Sequence, residues 1–278
     1  MKQLSFIEVW APPPVLDLTS YDIILLNTSA GKDSQAMLSS VHANAIAAGV
    51  ADRLIAVHCD LGRMEWPGTK ELAQLQAELL GIPFVVVRRN GGDLLDYVEH
   101  RGKWPSSAAR YCTSDFKRGP VRVLMTKLVK ARRVKGQPPV RILNCMGLRA
   151  DESPARAKRE PFHFDEQASN GRRHVDEYLP IHDWTTADVW TRIAQSKLPH
   201  HRAYDLGMSR LSCVFCIFAP REALLLAAMH NPDLLTEYAD VERRIGHTFR
   251  QHQSLVQIET ALAAGERPQE HIQWPRCA

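Results

Sequence analysis

The most constraining feature of this chain is one junction. The apolar run Tyr21-Asp22-Ile23-Ile24-Leu25-Leu26-Asn27 leads almost directly into Ser29-Ala30-Gly31-Lys32-Asp33-Ser34. The next segment carries Met37, Leu38, Val41, Ala45 and Ile46 at helical spacing. A near-continuous apolar run reads as a parallel strand covered on both faces. A small-residue turn from such a strand into a helix leaves unpaired backbone N–H groups at the positive end of the helix dipole, where they converge on an anion. Gly31 permits close backbone approach to a phosphate, Ser29 and Ser34 add hydroxyl donors, and Lys32 adds a cation. The element is not a Walker A loop, which places Ser or Thr directly after its lysine; here Asp33 follows Lys32. The same residues also read as a purely structural strand-to-helix turn.

Beyond this junction the chain alternates between two periods. Strand-like runs at 21–27, 53–59, 83–88 and 140–146 are interleaved with helical patterns at 33–48, 67–80 and 117–133. This predicts an α/β fold, a Rossmann-like parallel sheet with helices on both faces, whose ligands sit at the carboxyl ends of the strands. The 29–34 loop, His58-Cys59-Asp60 and Gly147-Leu148-Arg149 all fall at that edge. Residues 151–173 lack periodicity and read as a mobile loop. A short strand near 175–181 and a helix over 185–196 come next, with Asp183 or Thr185 as N-cap. Beyond Pro220 the pattern is helical, over 223–230 and then from Pro232 to about Gly265. The expected organisation is a nucleotide-binding α/β domain over 1–218 with a helical C-terminal subdomain, 219–278, packed on it.

With 278 residues the chain can bury one large core or two small ones. No apolar run approaches a membrane span and no signal-peptide pattern opens the sequence, so a cytoplasmic protein with no membrane partner is expected. Six unevenly spaced cysteines favour metal or redox chemistry over a disulfide framework. The net charge is only +4, yet residues 116–150 contain no acidic side chain and include Lys117, Arg118, Arg122, Lys127, Lys130, Arg132, Arg133, Lys135, Arg141 and Arg149. Such a run reads either as a solvated helix face or as a surface for a polyanion.

The 29–34 loop resembles the Ser-Gly-Gly-x-Asp-Ser pyrophosphate loop of adenine-nucleotide α-hydrolases, with Ala30 replacing the first glycine. Further segments narrow the resemblance: Arg110-Tyr111-Cys112-Thr113 with Lys117 and Pro120, Gly147-Leu148-Arg149-Ala150-Asp151-Glu152-Ser153 with Arg156, and Leu179-Pro180-Ile181 before Asp183-Trp184. Leu198-Pro199, Ala203-Tyr204, Gly207 and Arg210-Leu211-Ser212-Cys213-Val214-Phe215-Cys216 complete the set. Over residues 21–220 their order and spacing resemble the phosphoadenosine phosphosulfate reductase family of the PP-loop ATP pyrophosphatase superfamily. The resemblance implies that residues 29–34 hold the pyrophosphate of ATP, and that Lys32, Asp33 and Arg149 carry the chemistry. It further implies that Arg149, assisted by Arg156 and beside Gly147, holds the α-phosphate or the sulfur-bearing substrate. Asp60 is expected at ribose or Mg²⁺, or as a cap. His58 is expected near adenine through its backbone. Asp183, Trp184 and Trp190 read as a cap and two core aromatics.

Cys213 and Cys216 form a Cys-x-x-Cys pair, which by itself suits a zinc half-site, a redox pair or two buried thiols. Cys112 occupies the position of the family's cluster cysteines, so the resemblance implies a [4Fe–4S] cluster on Cys112, Cys213 and Cys216, with zinc as the alternative. The adjacent second cysteine of the iron–sulfur reductases is Thr113 here, which leaves three ligands and either a fourth from elsewhere or an open iron. Cys59 and Cys145 read as inert strand thiols. Cys277 lacks the Glu-Cys-Gly-Leu-His context of a sulfonucleotide reductase nucleophile.

These residues suit three functions. The first is an ATP pyrophosphatase that uses Mg²⁺ and ATP to adenylate a target for sulfur insertion. This is most similar to the enzymes of DNA phosphorothioation systems, with DNA, a cysteine desulfurase and other modification proteins as partners and residues 116–150 meeting the DNA backbone. The second is a thioredoxin-dependent adenylyl or phosphoadenylyl sulfate reductase. The third is a nucleotide-binding module with a structural metal.

Overall fold

Strand β1 (Ile23–Asn27) is buried because its alternate side chains enter different cores: Ile24 and Leu26 join one apolar cluster, Ile23 and Leu25 another. The computed structural model describes residues 16–134 and 136–269. Helix α1 (Lys32–Ala47) leaves β1 through the 29–34 loop. Then come β2 (Leu54–Asp60), α2 (Thr69–Leu79), β3 (Phe84–Arg88) and α3 (Leu94–Arg101). A short turn, α4 (Tyr111–Thr113), and a π-helical turn (Ser114–Arg118) run into α5 (Gly119–Arg132). Strand β4 (Val140–Met146), α6 (Pro154–Ala157), β5 (Phe162–Phe164), β6 (Arg173–Tyr178) and α7 (Thr186–Ser196) come next, and then α8 (Arg221–His230), α9 (Pro232–Ile245) and α10 (Leu255–Ala263).

The sheet has six strands in the order β3-β2-β1-β4-β6-β5, parallel except for β5. Val41 and Ala45 of α1, Ala77 of α2 and Val189 and Ile193 of α7 cover one face. Val121, Leu124, Met125 and Val129 of α5 cover the other. Strand order reverses between β1 and β4. That is the switch point at which the loops leaving two neighbouring strands turn to opposite faces and open a crevice for ligand.

Several boundaries differ from the sequence expectations. Residues 151–173 are not a structureless loop: they hold α6 and β5, and β5 pairs with β6 in the register Phe162↔Tyr178. A three-residue strand is too short to show periodicity. Thr185, not Asp183, caps α7, its side chain accepting from the Asp188 amide while Asp188 accepts from the Thr185 amide. The long C-terminal helix is two helices, because Gly246 ends α9 in the left-handed conformation at φ +62°. Helices α8–α10 share a core with Leu94, Leu95 and Val98 of α3, Trp104, Phe116, Val214 and Phe215. The C-terminal helices are thereby packed against segments that flank the carboxyl edge of the sheet.

Candidate active site

The 29–34 loop closes on its own side chains. The Ser29 amide donates to Ser34 Oγ at 3.1 Å, and Ser34 Oγ donates to the Gly31 carbonyl at 2.9 Å. The left-handed residue is Ala30, at φ +55°, while Gly31 is extended. For a residue with a Cβ that conformation costs about 1–2 kcal/mol, which accounts for glycine at this position in the loop it resembles.

Asp33 is the centre of the site. Its Oδ1 accepts from Arg149 Nε at 2.6 Å and its Oδ2 from Lys32 Nζ at 3.0 Å. Burial works to raise the Asp33 pKa, but the charges of Lys32 and Arg149 outweigh it and hold the carboxyl below the usual carboxylate value. Burial likewise disfavours the Arg149 cation, and Asp33 and Asp151 more than offset this. Arg149 is itself fixed by Asp151 Oδ2 at 2.6 Å, the Trp184 carbonyl at 3.0 Å and Thr186 Oγ1 at 3.2 Å. Gly147 explains how β4 brings Arg149 to α1. A Cβ there would stand 2.6 Å from the Asp33 carbonyl oxygen and 2.8 Å from the Ser34 nitrogen, so only glycine allows this approach.

Glu152 gathers the remaining arginines. It accepts from the Arg149 amide at 3.1 Å, pairs with Arg156, and pairs with Arg210 Nη2 at 3.2 Å. Arg156 thus lies one carboxylate away from Arg149. Its pKa is lowered, chiefly by burial. Two contributors carry no expected role in the sequence. Tyr204 Oη accepts the Lys32 amide at 2.7 Å, placing a neutral hydroxyl on the first turn of α1. Arg210, the other, immediately precedes the cysteine segment; that adjacency and the Ala203-Tyr204 motif are the only signals pointing to them.

His58 and Asp60 lie at the end of β2. His58 is buried, with Nδ1 3.1 Å from the Thr28 carbonyl and Nε2 3.1 Å from Glu65 Oε2. Its side chain braces the loop from below. Asp60 accepts the Gly62 amide at 2.7 Å, a cap, and also borders a cavity of about 630 Å³ shared with Arg63, Glu65, Lys70, Arg88 and Asp233.

The half-buried thiols of Cys112, Cys213 and Cys216 pack against the C-terminal core. Among the described residues no three His, Cys, Asp or Glu side chains are gathered to hold a metal ion. The three cysteines expected as cluster ligands are neighbours, not a preassembled set: as neutral thiols they pack like small apolar groups. Burial pushes the Cys213 thiol up to about 12 and raises that of Cys216. The donor chemistry, three soft thiols in one region, nonetheless fits an iron–sulfur or zinc site. Cys145 is buried and its thiol is raised by burial, as an inert strand residue should be. Cys59 is half-buried, with its thiol pushed up to about 11 by burial, and lies 3.8 Å from the Lys117 carbonyl. Cys277 lies outside the described residues, as does Lys135.

The acid-free run 116–150 is divided. Helix α5 runs antiparallel to the sheet, so Lys117 and Arg118 precede it at the carboxyl edge while Arg132 donates to the Asp22 carbonyl at the amino edge. Arg149 is turned inward to Asp33. The run is therefore not one contiguous patch: a helix of 14 residues separates its ends by about 20 Å.

Residues 23–219 match the model of the phosphoadenosine phosphosulfate reductase domain. The chain belongs to that family. Among curated relatives of this family member, an uncharacterised 37.8 kDa protein of Escherichia phage 186 is 29% identical over 64% of this chain and 51% of its own length. The adenosine 5′-phosphosulfate reductase of Neisseria meningitidis is 27% identical over 45% of each chain. The chain spans about half the length of the curated relatives it matches. Among solved structures, the phosphoadenylyl-sulfate reductase of Candida auris covers 70% of this chain and 83% of its own at 16% identity and a TM-score of 0.48. The U34-tRNA thiolase NcsA of Methanococcus maripaludis, with its [4Fe–4S] cluster, covers 89% and 75% at 13% identity and a TM-score of 0.43. No helix among the described residues is long and apolar enough to cross a membrane.

Proposed function

We propose that this chain is an ATP pyrophosphatase that adenylates a target for sulfur insertion, with a nucleic-acid backbone phosphate as the target. The observation that carries this reading is the Lys32–Asp33–Arg149 arrangement at the start of α1. Two nearly buried cations stand beside a helix N-terminus and share the Asp33 carboxylate, with Asp151 also pairing Arg149. In the reaction, an acceptor phosphate oxygen attacks the α-phosphorus of ATP. The bond to the β-phosphate's bridging oxygen breaks, and that oxygen keeps the electron pair as pyrophosphate leaves. Hydrosulfide, released when a thiol reductant cleaves the persulfide of a cysteine desulfurase, then attacks the activated acceptor phosphorus, and AMP departs carrying the former acceptor oxygen.

Lys32, Arg149 and the first-turn amides of α1 oppose the charge that grows on the leaving pyrophosphate, which is electrostatic catalysis by groups already in place. Arg156 and Arg210, organised by Glu152, extend the cationic wall. Asp33 is the carboxylate suited to Mg²⁺, which when bound would neutralise phosphate charge. Cys112, Cys213 and Cys216 would hold an iron–sulfur cluster able to carry sulfur. His58 and Glu65 fix the floor of the loop.

The test is pyrophosphate release from ATP and Mg²⁺ by anaerobically purified protein, with DNA as acceptor and without any sulfonucleotide. Release that is lost in Asp33→Ala and kept in Cys277→Ser supports the reading. No release, together with thioredoxin-dependent sulfite production from an adenylyl sulfate, overturns it in favour of a reductase.

A further inference from the structure

Two adjoining concavities flank the cysteine region on the sheet's carboxyl side. The first, of about 490 Å³, is lined by Arg101, Arg110 and Arg118 together with Ser107 and Ser114. None of the three arginines forms an ion pair among the described residues. The Arg101 guanidinium lies 4.8 Å from the centre of the Tyr111 ring and that of Arg110 lies 4.6 Å from the Phe218 ring. A guanidinium resting on an aromatic face keeps its in-plane N–H groups for a phosphate. The one carboxylate in this concavity, Asp115, is engaged by Ser114 Oγ at 2.6 Å and Tyr97 Oη at 3.4 Å.

The second concavity, of about 440 Å³, lies between edge strand β3 and α5 and shares Asp115 with the first. Arg88, Arg89 and Lys127 stand on its rim, and its floor is apolar, with Val86 41% and Val123 56% exposed. Arg88 has a 3.9 Å contact with Asp60, and Arg89 lies over Tyr97 at 4.1 Å.

A mononucleotide concentrates its phosphates at one point and is served by the 29–34 loop. Six cations spread along a track, with an apolar floor beneath three of them, suit repeated phosphates and unstacked bases. A duplex keeps its bases paired inside and cannot reach such a floor. We propose that a single-stranded nucleic-acid segment lies along this track, its phosphates on Arg101, Arg110 and Arg118 and its bases over Val86 and Val123. This rests on the reading of the chain as an enzyme acting on a nucleic-acid backbone; Tyr111 and Ser114 of the first concavity's lining flank Cys112 in the chain. The basic residues at the far end of α5 take no part.

The experiment is fluorescence anisotropy of a labelled 20-nucleotide single strand, and of its duplex, against the full-length protein across a salt titration. The triple variant Arg101→Ala/Arg110→Ala/Arg118→Ala is expected to bind the single strand at least tenfold more weakly. Its salt slope should fall by about 2, since each lost contact with a single strand removes about 0.7. The opposite-edge control Lys130→Ala/Arg132→Ala/Arg133→Ala should stay within about twofold of wild type. Arg118→Glu alone, at an exposed side chain without an intramolecular partner among the described residues, should give a several-fold loss and guards against misfolding of the triple variant. Equal losses in both triple variants, tighter binding of duplex, or no binding by wild type at low salt would each overturn the proposal. Pyrophosphate release at saturating single strand separates the two readings. In the Arg101/Arg110/Arg118 variant it should need at least tenfold more strand to reach half its maximum, and its absence from wild type would remove the enzymatic reading while leaving the binding surface to stand or fall on the anisotropy.

Discussion

Asp33→Asn separates two consequences of one carboxylate. The side chains of Lys32 and Arg149 are 5% and 3% exposed and that of Asp33 is 14% exposed, so the substitution strips the shared counter-charge from two nearly buried cations. Removing one partner of a buried pair costs about 3–5 kcal/mol. Arg149 keeps Asp151 and the Trp184 carbonyl, and an amide oxygen still accepts one bond, so the low end, about 3 kcal/mol, applies. At a slope of about 3 kcal/mol per molar urea the midpoint falls by about 1 M. The pH dependence has a definite sign. Because the folded pKa of Asp33 lies below its unfolded value, its contribution is complete above about pH 4 and disappears as pH falls through the folded pKa. The gap between wild type and variant should be constant from about pH 8 to 5 and narrow below about pH 4. Anion binding should move the other way. With the competing carboxylate gone, inorganic pyrophosphate without Mg²⁺ should bind Asp33→Asn about tenfold more tightly in a calorimetric titration, about 1.4 kcal/mol. A variant as stable as wild type, or a gap unchanged at pH 3.5, would refute the buried ion pair. Unchanged or weaker pyrophosphate binding would refute Lys32 and Arg149 as its site.

Gly147→Ala drives a Cβ into the Asp33–Ser34 backbone, which cannot rotate aside; a loss of about 1–3 kcal/mol in urea unfolding and roughly hundredfold slower pyrophosphate release are expected. Tyr204→Phe keeps the ring against Trp190 but leaves the Lys32 amide without its acceptor, lowering stability by about 1 kcal/mol. Saturating pyrophosphate should then raise the melting temperature of the variant more than that of wild type, and an equal rise would argue against a shared amide. Glu152→Gln should cost about 2–4 kcal/mol, since Arg156 and Arg210 lose their common carboxylate; a neutral result in denaturant titration would discount that cluster. After anaerobic reconstitution with iron and sulfide, bound iron should fall in Cys112→Ser, Cys213→Ser and Cys216→Ser and not in Cys145→Ser, as read by iron analysis and visible absorbance.

Sequence alone determined the alternating α/β order, the buried parallel strands and the tight turn from β1 into α1, because each rests on neighbours within one turn or strand. The period of apolar residues states which face is covered, and the small residues at 29–34 state what leaves β1. It also indicated Arg149 and Arg156, although not their partners. What only the tertiary structure decided are relations between distant segments. Gly147 has no Cβ because β4 must touch the first turn of α1, and no pattern near Gly147 records that contact. Tyr204 reaches the Lys32 amide from a loop more than a hundred residues away. The basic run looked like one surface because charge was counted along the chain; an antiparallel helix places its two ends at opposite edges of the sheet. The short β5 and the break at Gly246 were hidden for a different reason, since three residues carry no period and one left-handed glycine leaves the apolar pattern on either side intact.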